Sequence, residues 1–137
     1  MFLKGDLSMG MYTELVLGVK IEPTESILSI LRYMLGDTDD YGPHEYHDLF
    51  TTERWHYMLR CDSYYFDGQT DSKLYEDYGE YYLNVRCNLK NYSDEIDLFL
   101  DWLQPYIVTN GFIGYKRYEE FDDPTLIYND YGKIVYK

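Results

Sequence analysis

The sequence predicts an α+β fold: a ferredoxin-like βαββαβ antiparallel sheet with both helices on one face, plus a C-terminal β extension. Three observations predict it. Apolar residues alternate cleanly over residues 13–21 and 81–89, and each of these stretches is followed by apolar residues at helical spacing. The chain has 137 residues, enough to bury a core without metal or disulfide staples.

Residues 1–10 read as a flexible N-terminal leader and residues 11–137 as a single α+β domain. In the first strand, Leu15, Leu17, Val19 and Ile21 share one face and Glu14, Val16, Gly18 and Lys20 the other. Pro23 and Thr24 then start a helix whose stripe is Ile27, Leu28, Ile30, Leu31, Met34 and Leu35, and Gly36 ends it. Residues 37–54 hold Gly, Pro, two His and a run of acids without periodicity, and read as a long acidic loop. A second strand is expected over Trp55–Tyr65, with Tyr57, Leu59, Cys61 and Tyr65 inward, followed by a second acidic loop at residues 67–79. The third strand turns Tyr81, Leu83, Val85, Cys87 and Leu89 inward. Ser93 is the expected cap of a second helix with Ile96, Phe99, Leu100 and Leu103 as its stripe. Residues 112–119 and 125–128 read as strands around Asp122-Asp123-Pro124, with a last short strand at 133–136. The chain shows no internal repeat and no low-complexity tract.

Composition bounds function more tightly than any motif does. The chain carries 18 Tyr and 25 Asp+Glu against 12 Lys+Arg, a net charge of −13. Such a charge disfavours direct contact with nucleic acid or anionic membrane, since phosphate contacts need clustered cations, and favours a basic protein surface as partner. Residues 37–80 hold twelve of the acids and three of the bases, so the acidic face is expected there. Tyrosine offers a rigid amphipathic face at low entropic cost, and Tyr among carboxylates is the composition of a contact patch. The candidate partner-binding residues are therefore Asp39, Asp40, Tyr41, Glu45, Tyr46, Tyr75, Glu76, Asp77 and Tyr78.

Chemistry-bearing motifs are sparse. No P-loop, G-x-G-x-x-G, G-x-S-x-G or H-E-x-x-H occurs, so no catalytic residue is assigned. His44-x-x-His47 with Glu45 and Asp48 has short ligand spacing, but in a polar loop lacking cysteine it reads as solvated, and no metal or cofactor is expected. The acidic loops lack the EF-hand order. Cys61 and Cys87 read as reduced core residues of a cytoplasmic protein. A second candidate surface is the helix-free sheet face, where His56, Arg60, Tyr82 and Arg86 would form a ligand face; internal ion pairing with Glu14 or Asp62 is the competing reading for the arginines. A monomer or small homo-oligomer is expected.

The stretches Leu31-Arg-Tyr-Met-Leu-Gly-Asp, Arg60-Cys-Asp-Ser-Tyr-Tyr-Phe and Val85-Arg-Cys-Asn-Leu-Lys-Asn-Tyr resemble those of small acidic proteins encoded by bacteriophages. The resemblance spans residues 11–128 and carries no functional motif, so it transfers no site residue. It implies a setting in which acidic accessory proteins inhibit host nucleases or other defence enzymes, as DNA mimics or as plugs on basic grooves. Two alternatives stand beside that expectation: an immunity protein against a basic nuclease toxin, and a small-ligand-binding protein or enzyme using the open sheet face.

Overall fold

The computed structural model describes residues 11–42 and 45–137; the expected leader at 1–10 lies outside the described residues, as does His44. The chain forms a six-stranded antiparallel sheet, in the order β2-β3-β1-β4-β5-β6, and two α-helices. The strands are β1 (Tyr12–Ile21), β2 (Lys73–Asp77), β3 (Glu80–Lys90), β4 (Gly111–Tyr118), β5 (Thr125–Asn129) and β6 (Ile134–Tyr136), and the helices are α1 (Glu25–Met34) and α2 (Glu95–Leu103).

Strict alternation sets β1 and β3. Leu15, Leu17, Val19 and Ile21 face Cys87, Val85, Leu83 and Tyr81 across the ladder, and the aliphatic and thiol side chains among them are at most 4% exposed. The two helices supply the other half of the core. From α1 come Ile27, Leu28, Ile30, Leu31 and Met34; from α2 come Ile96, Phe99, Leu100, Trp102 and Leu103. Thr24 caps α1 by accepting from the Ile27 N–H at 3.4 Å. Gly36 stops it at φ +81, a left-handed value that glycine tolerates, with Asp37 N–H returning to the Arg32 carbonyl at 2.9 Å.

Three expectations fail. The strand expected at Trp55–Tyr65 is absent: Met58–Arg60 is a 3-10 turn, and Met58 and Leu59 are both fully buried. The turn directs both Met58 and Leu59 into the core on the helix side, so Met58, which alternation with Tyr57 and Leu59 would have turned outward, is buried, while Tyr65 is 42% exposed. The true second strand, β2, lies inside the expected acidic loop at 67–79. It is an edge strand whose residues are mostly exposed, so only Leu74 packs inward and no apolar alternation announces it. Third, Ser93 does not cap α2. Its N-cap is Asp94, left-handed at φ 58, and the side chain of Asn91 accepts from the Ile96 N–H at 2.9 Å.

The helix-free face is partly covered. Residues 61–71 cross it: the Cys61 carbonyl accepts from Asn88 N–H at 3.2 Å and from Thr70 Oγ1 at 2.8 Å, and Phe66, 6% exposed, packs under the Arg117 guanidinium. Beside it β4 bulges between Phe112 and Gly114. A Cβ on Gly114 would stand 2.0 Å from the Val16 carbonyl oxygen, so only glycine allows β4 to approach β1 there.

Candidate functional site

β1 runs toward Ile21, and its partners fix what gathers at that end. Tyr81 stands opposite Ile21, so the β2–β3 turn lies there. β4 runs back from it, with Leu17 opposite Gly114, and Gly111 pairs with Asn129, so the β5–β6 turn lies at the same end on the other side of the sheet. α1 starts and α2 finishes there too: Ile107 bridges Ile21, and Glu22 N–H reaches the Tyr106 carbonyl at 2.8 Å.

The two hairpin turns are built alike. Asp77-Tyr78-Gly79 has Tyr78 at φ 53 and Gly79 at φ 82, and Asp130-Tyr131-Gly132 has Tyr131 at φ 47 and Gly132 at φ 95. Both are two-residue turns of the I′ kind, whose twist matches the strands and whose central residues both need positive φ. Asn-Gly or Asp-Gly is the usual filling; here the first position is a bulky aromatic. Tyr78 is 99% exposed and Tyr131 86%. Tyr46, 77% exposed, stands in the loop beside the first turn of α1. Three projecting tyrosines therefore share one end of the sheet with the carboxylates of Glu22, Glu25, Glu45, Asp77, Glu80 and Asp130, against Lys20, Lys133 and Lys137, the last of which lines a cleft with Asp130 and Tyr131. Lys20 is already engaged, since Glu80 forms a hydrogen-bonded ion pair with it. That bond raises the Lys20 pKa and lowers the Glu80 pKa.

Between the start of α1 and the end of α2 this end holds a cavity of about 310 Å³. Ile27, Ile30 and Trp102 line its depth, and Glu45, Tyr46, His47, Asp101 and Tyr106 its rim. His47 Nδ1 accepts from Leu49 N–H at 3.0 Å, which places the ring proton on Nε2, donated to Asp101 Oδ2 at 2.8 Å. Tyr46 donates its hydroxyl to Asp48 at 2.8 Å.

The sequence-expected residues divide among several places. Glu45 and Tyr46 line the cavity, and Asp77 and Tyr78 form the β2–β3 tip. Tyr75 lies on the helix-free face, stacked on Tyr82 with ring centroids 5.4 Å apart, so a residue of each candidate surface meets there. Glu76 is exposed opposite Tyr81. Asp39 and Asp40 are exposed in the loop after α1, where Asp40 Oδ1 accepts from Gly42 N–H at 2.9 Å, and Tyr41 packs on Tyr33 and Trp55. The ligand face does not assemble. Arg60 sits at the end of α1, donating Nε to the Met34 carbonyl at 3.1 Å, because the turn that carries it belongs to the helix side. His56 lies between the rings of Trp55 and Tyr57. Arg86 alone of the cations expected there is on the sheet face, and it pairs with Glu14 at 3.2 Å.

Among the described residues no group of three His, Cys, Asp or Glu is arranged to hold a metal, and no helix is long and apolar enough to cross a membrane. Sequence reasoning missed Asp130 and Tyr131. The signal that could have found them is a tripeptide: Asp-Tyr-Gly occurs at 40–42, 77–79 and 130–132.

Comparison with protein families, with curated proteins and with solved structures finds no match to the chain.

Proposed function

We propose that this chain is a non-enzymatic acidic binding protein that docks the tyrosine-tipped end of its sheet on a basic surface of another protein, one that itself binds nucleic acid. The observation that carries the reading is the pair Tyr78 and Tyr131. A bulky residue in the left-handed region costs on the order of 1–2 kcal/mol, and neither side chain recovers that by burial, being 99% and 86% exposed. Strained, rigid and projecting aromatics are suited to contact with a partner. The carboxylates around them add steering toward a cationic surface.

The resemblance to small acidic bacteriophage proteins agrees with an inhibitor of the DNA-mimic or groove-plugging type, acting on an enzyme such as a defence nuclease. An immunity protein against a basic nuclease toxin would use the same end. We read β1–β4 and their two helices as the ferredoxin-like arrangement, to which β5–β6 is added, bringing Tyr131 level with Tyr78. The helix-free face has less support as a ligand site, because Arg86 is held by Glu14 and Arg60 lies elsewhere.

The test uses the immobilised chain to capture and purify a basic protein from bacterial lysate at low salt, then measures its association rate. Asp77→Asn, Asp130→Asn and Glu45→Gln together should slow association about tenfold at low ionic strength and flatten its salt dependence. An unchanged rate and an unchanged salt slope would overturn the reading.

A further inference from the structure

We infer that the cavity between the start of α1 and the end of α2 receives an arginine side chain of the basic partner, an inference that rests on the reading above. The cavity, of about 310 Å³, falls at the small end of ligand-pocket sizes. Its depth is apolar, with Ile30 fully buried and Trp102 9% exposed, and so suits the methylene stem of a long side chain. At the rim the aromatic rings of Tyr46 and Tyr106 stand with the carboxylates of Glu45 and Asp101, and no lysine or arginine is among the described lining residues. α2 and the 3-10 turn Gln104–Tyr106 that continues it end here, which adds the negative end of a helix dipole. At the facing start of α1 the opposite dipole is offset, since the Thr24 hydroxyl occupies the Ile27 N–H and Glu25 stands in the first turn.

The chemistry selects guanidinium over ammonium. A planar, weakly hydrated cation can stack on a tyrosine face and bond a carboxylate at once, which a compact ammonium cannot match. Two of the rim groups, Asp101 and Tyr46, are also hydrogen-bonded before anything binds. His47 takes Oδ2 of Asp101 at 2.8 Å and leaves Oδ1 to accept from a ligand, while Asp48 anchors the Tyr46 hydroxyl. Less side-chain entropy is then lost at these two residues on binding.

The probe is N-acetyl-arginine amide, titrated into the isotopically labelled full chain and followed by NMR, with N-acetyl-lysine amide as comparison. The expected result is saturable, millimolar binding of the arginine probe that shifts the Trp102 indole and His47 ring resonances, with the lysine probe at least fivefold weaker. Glu45→Gln with Asp101→Asn should weaken it about tenfold; the carboxamide oxygen of the Asp101→Asn side chain can still accept from His47, and an unchanged amide spectrum elsewhere checks the fold. Shifts confined to the hairpin tips, equal binding by the double variant, or no saturation would overturn the inference. A basic peptide such as octa-arginine separates the two levels. If it binds in a salt-dependent way, disturbing Tyr78 and Tyr131 while the cavity stays silent, this inference fails and the docking reading stands. If it does not bind at all, both fail.

Discussion

Glu14 is nearly buried, with 4% of its side chain exposed, between Arg86 at 3.2 Å and Arg117 at 3.6 Å. Both cations are about one-third exposed, so water tempers the pairing, and Glu14→Gln should cost about 2 kcal/mol in chemical denaturation rather than the larger loss of a fully buried pair. The thiols differ in the same residue-level way. Burial pushes the Cys87 pKa far up, and burial also raises that of the half-buried Cys61, with Arg54 and Arg60 opposing the shift. Since the thiolate is the nucleophile, alkylation of the native protein should proceed slowly at Cys61 and reach Cys87 only on unfolding. At the hairpin tips, Tyr78→Asn should stabilise the fold by about 0.5–1 kcal/mol, since Asn tolerates the left-handed turn better than Tyr, while weakening partner binding. A gain in stability with a loss of binding would mark the tyrosine as kept for contact. Residue types were the most legible part of the sequence: it marked Tyr46 and Tyr78 as contact candidates. It could not rank Tyr131, because the significance of Asp-Tyr-Gly lies in a backbone conformation.

At the scale of elements, β1, α1 and β3 were legible because each buries one face against the core and carries the matching period. β2 was not, because an exposed edge strand is held by its ladder to β3, with Leu74 opposite Leu83 and Tyr75 opposite Tyr82, and needs no apolar alternation. The connection from α1 to β2 misled in the opposite direction. Its aromatics imitate a strand while Leu49, Met58 and Leu59 anchor 3-10 turns in the core. If that connection is part of the folded core, Leu59→Ala should cost about 2–5 kcal/mol, within the range for a large aliphatic replaced by alanine; a cost below about 1 kcal/mol would show it to be a loosely packed loop. Gly114→Ala should also destabilise by about 2 kcal/mol or more, since the added methyl meets the β1 backbone rather than a movable side chain.

For the whole molecule, which carries a net charge of −13, strand direction decides what gathers at each end. It brings two edges' hairpins, the start of α1 and the end of α2 to one end, and there Tyr46, Tyr78 and Tyr131 stand among carboxylates. The strands at 112–119, 125–128 and 133–136 were legible one by one, but the convergence was not, because it follows from the pairing of β1 with β3 and with β4, which joins distant parts of the chain. We place the docking surface at this end. The most direct test compares wild type with the Tyr78→Asn, Tyr131→Asn double variant as bait for basic proteins of a bacterial lysate, at about 50 mM and about 500 mM salt, spanning strong to weak steering. Wild type should retain a defined basic nucleic-acid-binding protein at the lower salt and release it at the higher, and the equally folded variant should retain at most a tenth as much. Equal retention by the two baits, or retention indifferent to salt, would contradict this placement.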